Sequence, residues 1–373
     1  MEEMAGSTVN QLYADSNRLP TPRIEIDLHK IEKNARVIVD NMESYGLSIM
    51  GVTKAVIGNP QVAKAMQRGG IKIIADSRLE NIHRMKAQGV VSRFVLLRSP
   101  TLKQAPKAVS TVDISLNTDI DILRALSAAA IEQNKIHSVI LMIEMGDLRE
   151  GILPDELPTF LDVATKLQGI KIIGCGTNLA CMNGVGPNQK IMDAFSELVG
   201  SVMRRFELKF EIISGGSSAN LRWLSGEHKV GAVNNLRFGE AILLGREPLE
   251  RRAIDGLSTE AFRLWVEVIE SRVKKVVVSE ETFQNSFGER AAPLCTGTLR
   301  RTILNIGYQD IVVAGLKPAS NCSILGASSD HLVIDSAGMN LHVGDEVAFN
   351  MNYNCLLAAM MSPFVSKIFM PTR

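Results

Sequence analysis

The sequence predicts a (β/α)8 barrel followed by a C-terminal β-rich domain, and three observations support this prediction. Eight short apolar or β-branched runs alternate with longer amphipathic segments over roughly 200 residues. Several of these runs are apolar almost throughout, as parallel strands buried on both faces should be. After about Arg246 the pattern changes to strands that are separated by Gly, Asn, Ser and Asp turns.

The predicted barrel begins after an opening strand, RIEIDL, and a helix over residues 30–45 whose apolar side chains share one face. Eight barrel strands follow, ending near Thr53, Ala75, Leu97, Leu116, Ile143, Cys175, Ile213 and Leu236. Helical patterns of suitable length lie between them at 60–68, 79–88, 119–134, 157–167 and 189–206. No GxGxxG turn follows the first strand, so a closed barrel is favoured over a nucleotide-binding open sheet.

The β-rich domain is predicted from five segments with little helical periodicity: RLWVEVIESRVKKVVVS, TLRRTILNIGY, DIVVAG, CSILGASSDHLVIDS and GDEVAFN. The resulting domain boundaries are an N-terminal arm over 1–20, the barrel over 21–250 and the β-rich domain over 251–373.

Composition excludes several classes of function. The 373 residues carry a formal net charge of +1 and no basic run, which argues against a nucleic-acid or anionic-membrane partner. The first twenty residues lack the apolar core of a signal peptide, and no apolar stretch approaches eighteen residues, so a cytoplasmic protein without membrane spans is expected.

No metal site or disulfide framework is predicted. The five cysteines form no CxxC pair. The histidines show no metal-ligand spacing; His29 is read as a residue of a helix start, and the others as surface or loop residues: His83, His137, His228, His331 and His342.

Candidate functional residues follow the predicted barrel strands, because function collects at the C-terminal ends of barrel strands. They are Lys54 after the first strand, Asp147 and Arg149 after the fifth, Asn178 after the sixth, Ser214 to Ser218 (SGGSS) after the seventh, and Arg237 and Gly239 after the eighth.

This arrangement favours a pyridoxal 5′-phosphate (PLP) site. A Gly-Gly-Ser-Ser turn offers backbone N–H groups and hydroxyls to an anion, and the loops after the last two strands commonly hold phosphate. Lys54 would supply the Schiff-base amine, Ser217 and Ser218 the phosphate site, and Arg237 the group that faces the pyridine nitrogen. Each residue alone has a plainer explanation, as a solvated lysine, a capped turn or a structural arginine; three on one rim favour the cofactor.

Six segments together resemble the alanine racemase family of fold-type III PLP enzymes, and within it the ornithine racemase branch. They are PRIEIDLHKIEKNARVI, GVTKAV, GDLREG, RFGEAILLG, NIGYQD and the LGASSDHLVID…GDEV run, and they extend over both domains. The resemblance implies a PLP-dependent racemase that interconverts L- and D-amino acids, with ornithine or another basic amino acid as substrate.

The resemblance also implies roles for individual residues. Racemisation needs proton removal from one face of Cα and return on the other, hence two acid/base groups. Lys54 resembles the family's cofactor lysine, which serves one face, and Tyr308 resembles the catalytic tyrosine, which serves the other from the partner subunit. A homodimer with a shared active site is therefore expected.

The remaining roles concern binding. Arg237 resembles the arginine at the pyridine nitrogen, and Asn178 stands where alanine racemases usually have a histidine. Ser217 and Ser218, with Gly239 and Glu240, resemble the phosphate cradle. Arg149 resembles the arginine that approaches the substrate carboxylate, and Asp330 lies at the corresponding position of an aspartate near the substrate.

Three departures from the alanine racemase pattern favour a basic substrate over alanine. KAVIGNP lacks the tyrosine that follows the lysine, Met142 stands where many members carry a modified lysine, and ASSD replaces VCMD. A basic side chain requires an acidic partner, and four residues are candidates: Asp147, Glu240, Glu289 and Asp310.

Four alternatives stay open on the sequence. The substrate of a racemase could instead be alanine or serine. A fold-type III decarboxylase of a basic amino acid shares the barrel and lysine but usually supplies a C-terminal Cys-Asp pair. A non-catalytic PLP-binding protein consists of the barrel alone, and a metal-assisted D-amino-acid aldolase or dehydratase needs a His/Cys ligand pair in the C-terminal domain.

Overall fold

The computed structural model describes residues 19–226, 229–275, 283–284, 297–336 and 338–370. The chain divides into two compact units. The barrel unit is Asp27–Ala261, and the β-rich unit combines the described residues up to Ile26 with Phe262–Met370. The division differs from the boundaries 21–250 and 251–373, because the first strand, β1 (Arg23–Asp27), pairs with strands of the β-rich unit.

The barrel unit contains the closed barrel of eight parallel strands that the sequence predicts. In chain order the strands are β2 (Ser48–Val52), β3 (Ile73–Asp76), β4 (Arg93–Leu96), β5 (Ile114–Asn117), β6 (His137–Ile143), β7 (Ile170–Thr177), β8 (Ile212–Ser217) and β9 (Asn235–Phe238). Strand β2 pairs with both β3 and β9, which closes the barrel.

Helices follow most strands, and all of the predicted ones are present. They are α1 (Leu28–Glu43), α2 (Pro60–Arg68), α3 (Leu79–Ala87), α4 (Ala105–Thr111), α5 (Ile120–Glu132), α6 (Leu157–Ala164), α7 (Gln189–Arg205), α8 (Asn220–Leu224) and α9 (Glu240–Leu244). Asn59, Asp119 and Asn188 cap α2, α5 and α7 by accepting hydrogen bonds from the first N–H groups, as short polar side chains do at helix starts.

The barrel interior is filled by apolar side chains rather than open. Ten residues from seven strands form one buried cluster: Met50, Val52, Ala75, Val95, Ile114, Leu116, Ile140, Met142, Ile173 and Ile212. This cluster leaves the ends of the strands as the place where polar chemistry can collect.

One polar group buried in the barrel unit corrects the sequence interpretation. His137 begins β6, immediately before the predicted strand segment SVILMI, and is only 3% exposed, so its prediction as a surface or loop residue is wrong. Its Nε2 lies 2.8 Å from Ser115 Oγ, to which Asn117 Nδ2 also donates. Burial lowers the pKa of His137 to about 4, so the imidazole is neutral at physiological pH. His83 and His342 are exposed, as predicted, and His228 lies outside the described residues.

Besides β1, the described strands of the β-rich unit are β10 (Phe262–Lys275), β11 (Thr298–Leu304), β12 (Leu316–Pro318), β13 (Ser323–Ala327), β14 (Leu332–Asp335), β15 (Glu346–Met351) and β16 (Ser366–Met370). They form an antiparallel sheet in the order β12-β15-β10-β11-β14-β13, and β1 pairs with β10 and β16. One helix, α10 (Tyr353–Met361), follows β15.

Three elements of this unit differ from the sequence prediction. DIVVAG is a 3-10 turn over Val313–Gly315 rather than a strand. The Gly315 carbonyl accepts from Asn352 N at 2.8 Å, so a contact with a residue distant in sequence overrides the β propensity of the valines. Helix α10 and strand β16 lie in what the sequence presented as a tail. Within the described residues, no helix is long and apolar enough to cross a membrane.

Candidate active site

Lys54 lies at the C-terminal end of the first barrel strand, as predicted. It opens a single 3-10 turn, Lys54–Val56, and is half-buried. The chain then turns through Ile57 and Gly58, both with positive φ, before α2 begins. A Cβ on Gly58 would lie 2.5 Å from Asn81 Cβ, so only glycine allows this close passage.

The backbone before Lys54 is fixed by a buried aspartate that the sequence analysis missed. Thr53 Oγ1 donates to Asp76 Oδ2 at 2.8 Å, and Asn81 Nδ2 donates to Asp76 Oδ1 at 2.9 Å. Asp76 is fully buried at the end of β3, and this burial raises its pKa. A carboxylate that ends an apolar run, as in IKIIAD, was the available signal.

Arg237 is buried at the same end of the barrel, in β9. Its Nη1 donates to Ser214 Oγ at 2.6 Å, and its Nη2 donates to the Thr177 carbonyl at 3.0 Å and to Asn178 Oδ1 at 3.4 Å. Two effects lower the pKa of Arg237 to about 10: burial, which is the larger, and the positive charge of Arg149. The guanidinium therefore stays charged at neutral pH.

Asp147 organises the loops that follow β6 and β7. It is 2% exposed, and its carboxylate accepts from Asn178 Nδ2, Cys181 N and Met182 N, all at 2.9 Å. Burial alone would raise the pKa of Asp147, but these donors stabilise the charged form and hold its pKa below the usual value. The same bonds orient the Asn178 amide so that its oxygen faces Arg237, and they weigh against Asp147 as a receptor for a substrate side chain.

Arg149 lies near this network with an acidic neighbour that the sequence analysis passed over. Its Nε and Nη2 donate to the two carboxylate oxygens of Glu150, and its Nη1 lies 2.6 Å from Cys181 Sγ. The hydrogen bonds to Glu150 raise the pKa of Arg149. The opposite charges side by side in GDLREG were the signal for this pair.

The predicted phosphate turn is braced by Asn220, which the sequence analysis also missed. Asn220 Oδ1 accepts from Ser217 N, and Asn220 Nδ2 donates to the Gly215 carbonyl, both at 3.0 Å. Gly216 adopts a φ of +136°, which favours glycine. Ser217 Oγ accepts from Ala219 N and Ser218 Oγ accepts from Ala241 N, both at 3.3 Å, so each hydroxyl keeps its hydrogen for a further acceptor.

Gly239 and Glu240 lie after β9, and Gly239 lies close to β2. A Cβ on Gly239 would lie 3.2 Å from Val52 Cβ, so the close packing favours glycine. Glu240 forms an ion pair with Arg251. Burial raises the pKa of Glu240, while Arg251 opposes this rise. The existing ion pair weighs against Glu240 as the receptor for a basic substrate.

Within the β-rich unit, the loops that carry Tyr308 and Asp330 are joined. Tyr308 N donates to the Ser328 carbonyl at 3.0 Å, and Gln309 N donates to the Ser329 carbonyl at 2.9 Å. A Cβ on Gly307 would lie 2.4 Å from Asp330 N, so glycine permits this approach. The Asp330 side chain is 63% exposed and accepts from its neighbours Ser328 and Ser329.

Of the last two acidic candidates, Asp310 and Glu289, the structure describes only Asp310. Asp310 Oδ1 accepts from Ser362 Oγ at 2.5 Å, within the β-rich unit. Glu289 lies outside the described residues, as does Cys295.

Comparisons with known proteins identify relatives of the chain. Residues 26–247 match the family model of the alanine racemase N-terminal domain. The chain is 35% identical to a lysine racemase of Thermotoga maritima, over 94% of this chain and 99% of the relative. It is 34% identical to an ornithine racemase of Acetoanaerobium sticklandii, over 93% and 99% respectively.

Solved structures share the fold of the chain. The alanine racemase from D-cycloserine producing Streptomyces lavendulae superposes with a TM-score of 0.74 at 17% identity, covering 95% of this chain and 99% of that one. The alanine racemase of Clostridium difficile 630 gives a TM-score of 0.74 at 18% identity, with 95% and 97% covered. The match to the family model and the identity to the two racemases show that the chain belongs to the alanine racemase family.

Proposed function

We propose that the chain is a PLP-dependent racemase of a basic α-amino acid, ornithine or lysine. Its similarity over nearly the whole chain to a lysine racemase and an ornithine racemase is the observation that carries this proposal. Proteins of the alanine racemase family are PLP-dependent, and the end of the barrel that holds Lys54 and Arg237 has suitable chemistry.

The donor groups at this end of the barrel fit PLP. Lys54 offers an amine next to the buried strand ends, and Ser217 and Ser218 offer two hydroxyl hydrogens beside a glycine turn, which suits a phosphate. Arg237 offers a buried charged donor that suits a ring nitrogen. When bound, PLP supplies the electron withdrawal that makes the Cα proton of an attached amino acid acidic.

Two side chains would move the proton. Lys54 Nζ would take or return it on one face of Cα, and Tyr308 Oη on the other. We propose that Tyr308 acts from the partner subunit of a homodimer. Arg237, with a pKa of about 10, keeps its own proton and so donates a hydrogen bond without acting as an acid.

The rival functions have less support. The chain carries a β-rich unit in addition to the barrel, unlike a PLP-binding protein that is a barrel alone. Cys322 and Cys355 are followed by Ser and Leu, so neither forms the Cys-Asp pair usual in the related decarboxylases. Cytoplasmic localisation stays a prediction from the sequence.

Racemisation assays test the proposal. Purified protein with PLP is expected to abolish the optical rotation of L-ornithine or L-lysine faster than that of L-alanine or L-serine. Lys54→Ala should lower kcat/KM by at least about 10³-fold because both the cofactor bond and one base are lost. Release of carbon dioxide without racemisation would support the decarboxylase instead.

A mixing experiment tests the shared site. Lys54→Ala and Tyr308→Ala proteins, each inactive alone, should regain activity when unfolded and refolded together, because a hybrid dimer holds one intact site. No recovery in verified hybrid dimers would contradict the contribution of Tyr308 from the partner subunit.

A further inference from the structure

We propose that Glu150 binds the distal ammonium group of the substrate. In this proposal the substrate carboxylate takes the place of the Glu150 carboxylate on Arg149, which makes Glu150 available to the ammonium group. This inference rests on the proposed function, because it assigns the residue that would select a basic amino acid. It differs from the four acidic candidates that the sequence presented.

The contact between Arg149 and Glu150 has the form of a bound carboxylate. Two nitrogens of the guanidinium, Nε and Nη2, donate to the two oxygens of Glu150. This paired arrangement is the one in which arginine binds carboxylate ligands. Glu150 therefore occupies the edge of Arg149 that a substrate carboxylate would use.

The pair lies at the barrel end and is open enough for exchange. The side chains of Arg149 and Glu150 are 37% and 35% exposed. The Arg149 guanidinium that holds Glu150 also contacts Cys181 through Nη1. Cys181 N and Asn178 Nδ2 both donate to Asp147, and Asn178 Oδ1 accepts from Arg237. Glu150 is thus accessible to solvent and is linked by these contacts to the group proposed to face the cofactor.

The exchange favours a cationic side chain for a simple electrostatic reason. When a substrate carboxylate binds to Nε and Nη2 of Arg149, the guanidinium exchanges one carboxylate partner for another. The Glu150 carboxylate then lacks the cation that had paired with it. A partly buried carboxylate without a partner is unfavourable. The ammonium group of ornithine or lysine supplies a new partner, whereas an uncharged side chain leaves Glu150 unpaired.

The other described candidates have partners that a substrate carboxylate does not replace. Asp147 accepts from two backbone N–H groups, and Asp310 accepts from Ser362. Glu240 pairs with Arg251. Glu150 differs because its partner, Arg149, is itself the residue expected to bind the incoming carboxylate.

Substrates of matched length test the assignment. For Glu150→Gln, kcat/KM for L-ornithine should fall by at least about 30-fold, mainly through KM, while that for its uncharged analogue L-norvaline should be unchanged or higher. Where L-norvaline is turned over too slowly, its inhibition constant against L-ornithine serves as the measure. Glu197→Gln, which removes the same charge from an exposed site on α7, is expected to behave as the unchanged protein.

The outcomes separate the two proposals. An equal loss for L-ornithine and L-norvaline would show that Glu150 acts only by holding Arg149, and would overturn the receptor role. Failure of the wild-type protein to racemise any amino acid would overturn the proposed function itself. If Glu150→Gln is not recovered folded, Glu150→Asp is expected to raise KM for L-ornithine about 5-fold with L-norvaline unaffected; equal effects there overturn the receptor role as well.

Discussion

Asp147 of the barrel unit and Asp330 of the β-rich unit each accept several hydrogen bonds, yet they are held very differently. Asp147 is 2% exposed, and its partners lie 31 to 35 residues away along the chain. The Asp330 side chain is 63% exposed, and its partners are immediate neighbours. The loops around Asp147 are therefore fixed by tertiary bonds, whereas the Asp330 turn is held by local bonds that water can replace.

The sharpest test of this difference is the removal of the buried carboxylate. Asp147→Ala is expected to lower the free energy of unfolding by about 3 to 4 kcal/mol, because three donors lose their acceptor. Urea denaturation monitored by circular dichroism measures the change. Asp147→Asn keeps one oxygen for the backbone N–H groups, so the decrease in the free energy of unfolding should be about half as large. A decrease below about 1 kcal/mol for Asp147→Ala would contradict the conclusion that the buried bonds of Asp147 are stronger than the local bonds of Asp330.

The buried imidazole of His137 extends the comparison to pH. The pKa of His137 is about 4 in the folded protein, compared with an ordinary value of 6.5. Between pH 6.5 and 4 the imidazole is therefore protonated in the unfolded chain but neutral in the folded protein. Stability should therefore be lost as pH falls from 6.5, by up to about 3 kcal/mol at pH 4.

Unfolding at a series of pH values measures this dependence. His137→Gln should remove this part of the pH dependence, although its stability at neutral pH will be lower. His83→Gln, at an exposed site, should keep the pH dependence of the unchanged protein. Identical pH profiles for His137→Gln and the unchanged protein would contradict the assignment.

Asn220 offers an intermediate case, since it joins parts of a single turn but is fully buried. Asn220→Ala is expected to lower the free energy of unfolding by about 2 kcal/mol, because Ser217 N and the Gly215 carbonyl lose their partner. The distorted turn should also weaken PLP binding, measured by titration of the apoprotein. A stability loss with unchanged PLP affinity would separate the turn from the phosphate site.

The exposed aspartate should produce the smallest effect. Asp330→Ala is expected to leave the urea midpoint of unfolding unchanged, since its partners can be hydrated. The same urea denaturation that measures Asp147→Ala gives the midpoint. A midpoint lowered as far as that of Asp147→Ala would show that the local bonds of this turn matter as much as the buried ones.

The eight barrel strands and the position of Lys54 followed from the sequence because both depend on local pattern. Strand ends in a closed parallel barrel converge, so a residue that ends an apolar run can be placed without coordinates. The partners of Asp147 and the contact of Arg149 with Cys181 could not be placed, because they involve a loop about thirty residues later. His137 was misjudged for a related reason: its hydrogen-bond partner, Ser115, lies 22 residues earlier in the chain.

The bonds of Asp147 also matter for anyone who would redesign this protein. They connect the loop after β6 to the loop after β7, so the two loops are structurally coupled although they are separate in the sequence. Substitutions in one loop will then change the effect of substitutions in the other. A library that randomises the loops one at a time would sample the wrong combinations, and new substrate preferences should be sought by varying both together.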